Sequence, residues 1–256
     1  MTLDVSKLRP LPAGFGQCGS CAYGEAGGRP EICYSCALLA IKPAGGDDAC
    51  GICDHPLHED GSCHNPTCAR SDRFFKWNWA IGYRTGVLES RLGLYKFGGK
   101  KGWALVFGRI LVGFLDDHRP SFKDFDLIVG NPSYSGAGAE RNWDHIRLIL
   151  QQAVEAGGGR WPFDLETPAA IIKTKPTNPL RQAVRYKRRR EIAETEIRAA
   201  LTVPDVDRVA GKKILVFDDV FTDGLTLNEV ARALRHGRAA LVCGVSLARS
   251  IYQGPS

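Results

Sequence analysis

From residue 87 onward, apolar runs of strand length alternate with segments of helical period, and four close pairs of cysteines crowd the first quarter of the chain. Together these patterns predict an α/β protein, a mainly parallel sheet flanked by helices, behind a small cysteine-rich module. Charge marks the boundary between the two. Residues 1–72 carry 5 Lys and Arg against 9 Asp and Glu, whereas the rest carries 29 against 19, so the net +6 hides an acidic head and a basic body. Eight of the nine cysteines lie within residues 18–68. The expected domains are therefore 1–72 and 73–256.

Composition sets limits on function. With 44% hydrophobic and 24% charged residues the chain has a globular makeup rather than a disordered or fibrous one. Its longest apolar stretch, Trp103 to Leu115, is interrupted by Arg109 and falls short of the roughly 20 residues a bilayer span needs. Residues 1–17 show no apolar run behind a basic start. The expected location is the cytoplasm, with no membrane partner.

The cysteines run Cys18-x2-Cys21, Cys33-x2-Cys36, Cys50-x2-Cys53 and Cys63-x4-Cys68. A pair on a tight turn offers two thiolates to one ion, so four pairs suit two tetrahedral Zn2+ sites. Disulfides would need an oxidising compartment that nothing else supports. Sequential pairing gives Cys18/Cys21/Cys33/Cys36 and Cys50/Cys53/Cys63/Cys68, a double zinc ribbon; an interleaved arrangement would join the first pair to the third. Sequential pairing closes shorter loops and is preferred on that ground. His55, His58 and His64 lie nearby, but the cysteine set is complete without them. Apolar residues are sparse here, so metal must supply stability that a core cannot. The default role of the module is structural, or docking to a protein partner.

Helices are expected over Val87 to Tyr95, Trp103 to Leu115, Trp143 to Ala156, Glu191 to Leu201 and Thr226 to Leu234. Strands are expected over Asp126 to Gly130, Ala169 to Ile172, Lys213 to Phe217 and Ala240 to Leu247. Lys96-Phe97-Gly98-Gly99-Lys100 reads as a loop, and the aromatic cluster Phe74, Phe75, Trp77 and Trp79 as packing between the modules. In such a sheet, ligands gather at the carboxyl ends of the strands.

The segment that carries chemistry is Ile214-Leu-Val-Phe-Asp218-Asp219-Val220-Phe221-Thr222-Asp223-Gly224-Leu225-Thr226. An apolar strand delivers Asp218 and Asp219, then a short loop with Thr222, Gly224, Leu225 and Thr226 opens a helix. Loop N–H groups at a helix N-terminus favour an anion, glycine permits close approach, and threonine hydroxyls add hydrogen bonds. Paired aspartates accept hydrogen bonds from vicinal hydroxyls or hold a divalent ion near them. A phosphate beside a diol describes a ribose 5-phosphate. The bland reading is a strand end with solvated aspartates leading into a capped helix.

On these residues the chain resembles the type I phosphoribosyltransferases. The resemblance implies that fold, with phosphoribosyl pyrophosphate (PRPP) and Mg2+ as ligand and cofactor. It makes Asp218 and Asp219 ligands of the ribose hydroxyls and Thr222 to Thr226 the 5-phosphate loop. A cysteine-rich head on such a body is also the plan of the ComF family of competence-associated, phosphoribosyltransferase-like proteins. Leu94-Tyr95-Lys96-Phe97-Gly98-Gly99 is similar to that family's Leu-Lys-aromatic-x-Gly segment, and Lys212 to Arg249 is similar throughout. Val129-Gly130-Asn131-Pro132 lies where the family has its pyrophosphate loop, which adds Gly130 and Asn131 to the binding residues. Thr177-Asn178-Pro179-Leu180 only faintly echoes the family's Thr-x-x-Gln, and two further features depart from the pattern. Asp223 stands where a small residue is usual, and would repel a phosphate unless it points away or is neutralised by Lys or Arg; its unusual position also makes it a candidate base. Arg141-Asn142-Trp143-Asp144-His145 replaces the family's Arg-Gly-aromatic-Asn-Gln. His145 is a candidate acid or base there, though a packing or capping role is the more usual one.

The resemblance implies a PRPP-dependent transfer to an unidentified nucleophile. The alternatives are a DNA-uptake adaptor that binds single-stranded DNA and a helicase or recombination partner, or a sensor of PRPP. Residues 173–190 hold eight Lys and Arg and no acidic residue. Arg181 to Arg190 would follow a nucleic-acid backbone or close over pyrophosphate; the plain alternative is a solvated helical face offset by Glu191, Glu194 and Glu196.

Overall fold

A computed structural model describes residues 42–251. Its centre is a four-stranded parallel sheet in the order β1 (Asn78–Tyr83), β6 (Leu241–Arg249), β5 (Lys213–Phe221), β2 (Leu127–Gly130). The helices longer than one turn are α1 (Gly86–Lys96), α2 (Trp103–Asp117), α3 (His145–Glu155), α4 (Tyr186–Ile192) and α5 (Leu225–His236). After α4 the chain continues through a π-helical turn (Ala193–Ile197) and a helical turn (Arg198–Ala200). Two short strands, β3 (Ile172–Lys173) and β4 (Leu201–Thr202), pair antiparallel beside the main sheet. The expected α/β class is what the chain adopts.

The central strands are apolar because both faces are covered. Ile214, Leu215, Val216 and Phe217 are all buried, as are Val242, Cys243 and Val245 opposite them. Val112, Ile149 and Ala153 belong to the cluster on one side of the sheet, and Val230, Ala231 and Leu234 of α5 to the cluster on the other. Helix α2 crosses α3 closely enough that a Cβ on Gly108 would lie 2.6 Å from the Ala153 nitrogen, so only glycine fits there.

Three readings of the sequence change. β5 runs to Phe221 rather than Phe217, so Asp218 and Asp219 lie within the strand, with Asp218 opposite Ser246. The expected strand over Ala169 to Ile172 is confined to Ile172–Lys173, while Ala170 and Ile171 are buried beside it. Residues Asn78–Tyr83 form edge strand β1, which is a strand through its pairing with β6.

The described cysteines are built onto this sheet rather than hung from it. The Asn78 N–H donates to the Ile52 carbonyl at 2.8 Å and the Ala80 N–H to Asp54 Oδ2 at 2.6 Å. Cys50 and Cys53 share a buried cluster with Phe75, Ile214 and Val216. The strongest tie is Arg249, whose side chain has no exposure. Its Nε donates to the Cys53 carbonyl at 2.7 Å, and Nη1 donates to the carbonyls of Thr222 and Ser250. Replacing Arg249 with Met should cost about 3 kcal/mol or more, because several buried carbonyls lose a charged donor at once. Denaturant unfolding of the metal-loaded protein reads this directly; a loss under about 1 kcal/mol would mean that the carbonyls find water instead.

Candidate functional site

Cys50, Cys53, Cys63 and Cys68 place their sulfur atoms within 4.8 Å of one another. Cys50 Sγ lies 4.0 Å from Cys68 Sγ, and Cys53 Sγ 3.8 Å from Cys63 Sγ. Four thiolates around one tetrahedral Zn2+ would stand roughly 3.8 Å apart, given Zn–S bonds of about 2.3 Å. The donor set therefore fits that ion, and this set is paired sequentially. Thiols of Cys50, Cys63 and Cys68, with the Arg249 charge, hold the Cys53 thiol far below its ordinary pKa. The metal group contains no histidine; His58 stacks on His64 instead, with ring centres 3.4 Å apart. Cys18, Cys21, Cys33 and Cys36 lie outside the described residues.

Across Arg249 from the cysteines is a cavity of about 810 Å3 at the carboxyl ends of the strands. Asp218, Asp219, Thr222 and Thr226 line it, as do Asn131 and Lys96. Here β5 and β2 run side by side, and the fold brings Asn131 next to Asp218. Asp218 Oδ2 accepts from Asn131 Nδ2 at 2.9 Å, and its Oδ1 accepts from the Asp219 N–H at 2.9 Å. Asp219 Oδ2 lies 2.7 Å from Lys96 Nζ and 3.2 Å from His145 Nε2.

A buried carboxylate and a half-buried one side by side cannot both ionise freely. Burial and the Asp219 charge push Asp218 up to about 7. Burial alone would also raise Asp219, but the Lys96 ammonium and His145 more than offset it and hold that carboxyl well below the usual range. His145 is the first residue of α3, behind Asp144, whose side chain caps the helix by accepting from the Arg147 N–H. Tyr95 Oη donates to the His145 carbonyl at 2.6 Å and fixes α1 against this helix start. So His145, weighed as a packing residue, faces the carboxylates. Lys96 is a site residue that local sequence pattern does not mark, although it sits in the Lys-Phe-Gly-Gly segment.

The loop after β5 is held from below. Arg249 Nη1 donates to the Thr222 carbonyl and reaches the Phe221 carbonyl at 3.4 Å. In a trans peptide the N–H opposes the C=O, so pinning these carbonyls turns the N–H groups of Thr222 and Asp223 the other way. Gly224 has φ +81°, and a Cβ there would meet the Phe221 ring at 2.5 Å; the turn into α5 requires glycine. Asp223 does not line the cavity. Its Oδ1 accepts from the Leu225 N–H at 3.1 Å, and its Oδ2 lies 3.0 Å from Arg189. The carboxylate is thus neutralised by an arginine, one of the two ways its place in an anion loop was expected to be tolerated, and the geometry does not aim it as a base at the cavity. Leu225 packs under the π-helical turn with Ala193 and Ile197. Gly130 ends β2 beneath Ile146, whose Cγ2 would lie 2.8 Å from a Cβ there, so helix packing accounts for this glycine.

Four of the eight basic side chains in residues 173–190 are ion-paired within the chain, three of them at the surface. Arg181 pairs with Glu140, Arg188 with Glu191, Arg189 with Asp223 and Arg190 with Glu194. Lys173 is mostly buried and donates to Thr177 Oγ1 at 2.7 Å. Arg141 and Arg181 flank the exposed Phe97 ring at 5.7 and 5.2 Å, on the cavity wall.

Two outcomes follow. Cys50→Ser/Cys63→Ser, which leaves only two thiolates, should lower bound zinc by about one ion per chain, read by elemental analysis; unchanged content would remove these four cysteines from metal binding. Because Asp218 keeps a proton in the fold that the unfolded chain releases near pH 4, the protein loses stability as pH rises from about 4 to about 7. Asp218→Asn should therefore melt above the wild type at pH 8, with a gap that narrows toward pH 5.5. A constant gap would show that Asp218 is ionised throughout.

No protein-family model matches the chain. Over 233 residues, 83% of this chain and 92% of the other, it is 24% identical to the competence protein ComFC of Streptococcus pneumoniae (strain ATCC BAA-255 / R6). The similarity therefore spans most of both proteins.

Proposed function

We propose that the chain is a PRPP-dependent phosphoribosyltransferase of the ComF type. The observation that carries this reading is that Asp218, Asp219, Thr222 and Thr226 all face one cavity at the head of α5. The 5-phosphate would lie on the loop at the helix N-terminus, where the amide dipoles favour an anion, with the hydroxyls of Thr222 and Thr226 beside it. Asp218 and Asp219 would accept hydrogen bonds from the ribose hydroxyls. As the bond from C1 to pyrophosphate breaks, its electron pair leaves with the pyrophosphate and positive charge grows on the sugar. The carboxylates favour that charge, and the nucleophile then adds at C1. Fixed charges already in place around the sugar supply the main catalytic effect. Asn131 Oδ1, Ser133 Oγ and His145 Nδ1 are buried on the cavity wall without a hydrogen-bond partner among the described residues. Groups left in that state are costly unless a ligand meets them, which supports a polar occupant. Zn2+ at the four clustered cysteines would be structural, holding the Cys53 carbonyl that Arg249 uses.

The second reading is a binding module in DNA uptake, favoured by the similarity to a competence protein over most of the chain. Lys175, Arg185 and Lys187 are exposed and without an ion pair among the described residues, so they are the charges left for a DNA backbone or a protein partner. PRPP should bind the wild type with measurable heat in calorimetry and should not bind Asp218→Asn/Asp219→Asn. Pyrophosphate release on adding a nucleophile would then establish transfer. No heat in the wild type would overturn the phosphoribosyl reading.

A further inference from the structure

We propose that Lys96 takes the place of the divalent cation in this cavity, so that PRPP binds without Mg2+. The inference rests on the phosphoribosyl reading above. Mg2+ prefers six oxygen ligands in near-octahedral order at about 2.0–2.1 Å, commonly one or two carboxylates among them. The two carboxylates here do not fit that use. Asp219 Oδ2 is shared by an ammonium at 2.7 Å and an imidazole at 3.2 Å. Both oxygens of Asp218 accept N–H groups, from Asn131 and from the Asp219 backbone. A dication brought to the pair would displace these donors and stand against the Lys96 charge.

Lys96 is not a surface lysine that happens to reach inward. It is the last residue of α1, where the negative end of the helix dipole favours a cation. Leu88, Leu92 and Tyr95 bury that helix, and the Tyr95 hydroxyl bonds the first residue of α3. The turn that follows is equally constrained. A Cβ on Gly98 would lie 2.8 Å from the Leu94 carbonyl oxygen, and Gly99 has φ +66°. The Lys-Phe-Gly-Gly segment thus gains a physical purpose: it stops the helix so that Lys96 ends beside Asp219, with its side chain only 19% exposed. A fixed ammonium there offsets the carboxylates and presents positive charge to the same cavity that would hold pyrophosphate.

The test is calorimetric titration of PRPP into zinc-loaded protein, with and without added Mg2+, for the wild type, Lys96→Met and Lys96→Arg. Met keeps the packing of the stem, Arg keeps the charge, and thermal melts confirm that each variant is folded. The wild type should bind equally in both conditions, within about twofold. Lys96→Met should lose about tenfold or more in affinity without Mg2+ and recover part of it when Mg2+ is added, whereas Lys96→Arg should stay near the wild type. Wild-type binding that appears only with Mg2+ would overturn the inference and leave the phosphoribosyl reading intact. Equal affinity of Lys96→Met and wild type without Mg2+ would overturn it as well. Absence of binding in both conditions would overturn the reading itself, and the inference with it.

Discussion

A guanidinium sealed from water joins the two chemically distinct parts of this protein. Arg249 sits at the end of the last strand and donates at once toward Cys53 and toward the loop after β5. Its charge cannot be buried without partners, and its partners are backbone carbonyls from three separate stretches of chain. Each is therefore held where the others need it. Its guanidinium also lies 4.9 Å from the centre of the Phe221 ring, the ring that leaves no room for a side chain on Gly224. The cysteine cluster and the loop are fastened through one side chain, so the order of one bears on the order of the other.

The cavity shows the cost of setting two carboxylates in a buried sheet end. The protein does not share the burden equally. Asp219 receives Lys96 and His145 and stays ionised; Asp218 receives an amide and a backbone N–H and is left near its titration point. Sites with such divided carboxyls carry both a hydrogen-bond acceptor and a reservoir for a proton near neutral pH. The arrangement lowers stability locally, and large cores on both faces of the sheet carry it.

A second internal use of charge concerns the arginine-rich stretch. Arg70 of the cysteine module pairs with Glu194, and Thr67 Oγ1 lies 3.0 Å from the Tyr186 hydroxyl. With Arg189 on Asp223, these contacts clamp α4 between the cysteine module and the loop. Arg189, which reads as part of a nucleic-acid stripe in one dimension, is a structural tie in three.

Local pattern was enough for the α/β class, the donor set Cys50/Cys53/Cys63/Cys68 and the strand–loop–helix around Asp218, because strand period, helical period and close cysteine pairs are properties of neighbours in sequence. Even there, β5 outran its apolar run: pairing with β6 carries Asp218 and Asp219 inside the strand, and only a partner strand can extend one through charged residues. Edge strand β1 was hidden for the same reason, since Asn78 to Tyr83 become a strand by lying against Gly244 to Arg249. The contacts that define the site join residues far apart. Lys96 and Asp219, His145 and Asp219, Arg189 and Asp223, and Arg249 and Cys53 meet only when the sheet order is set. Sequence by itself thus determined which chemistry the chain can offer. Tertiary structure decided which charges are already spent on one another and which still face the cavity, because a pairing energy depends on distance and burial, and neither exists until the chain is folded.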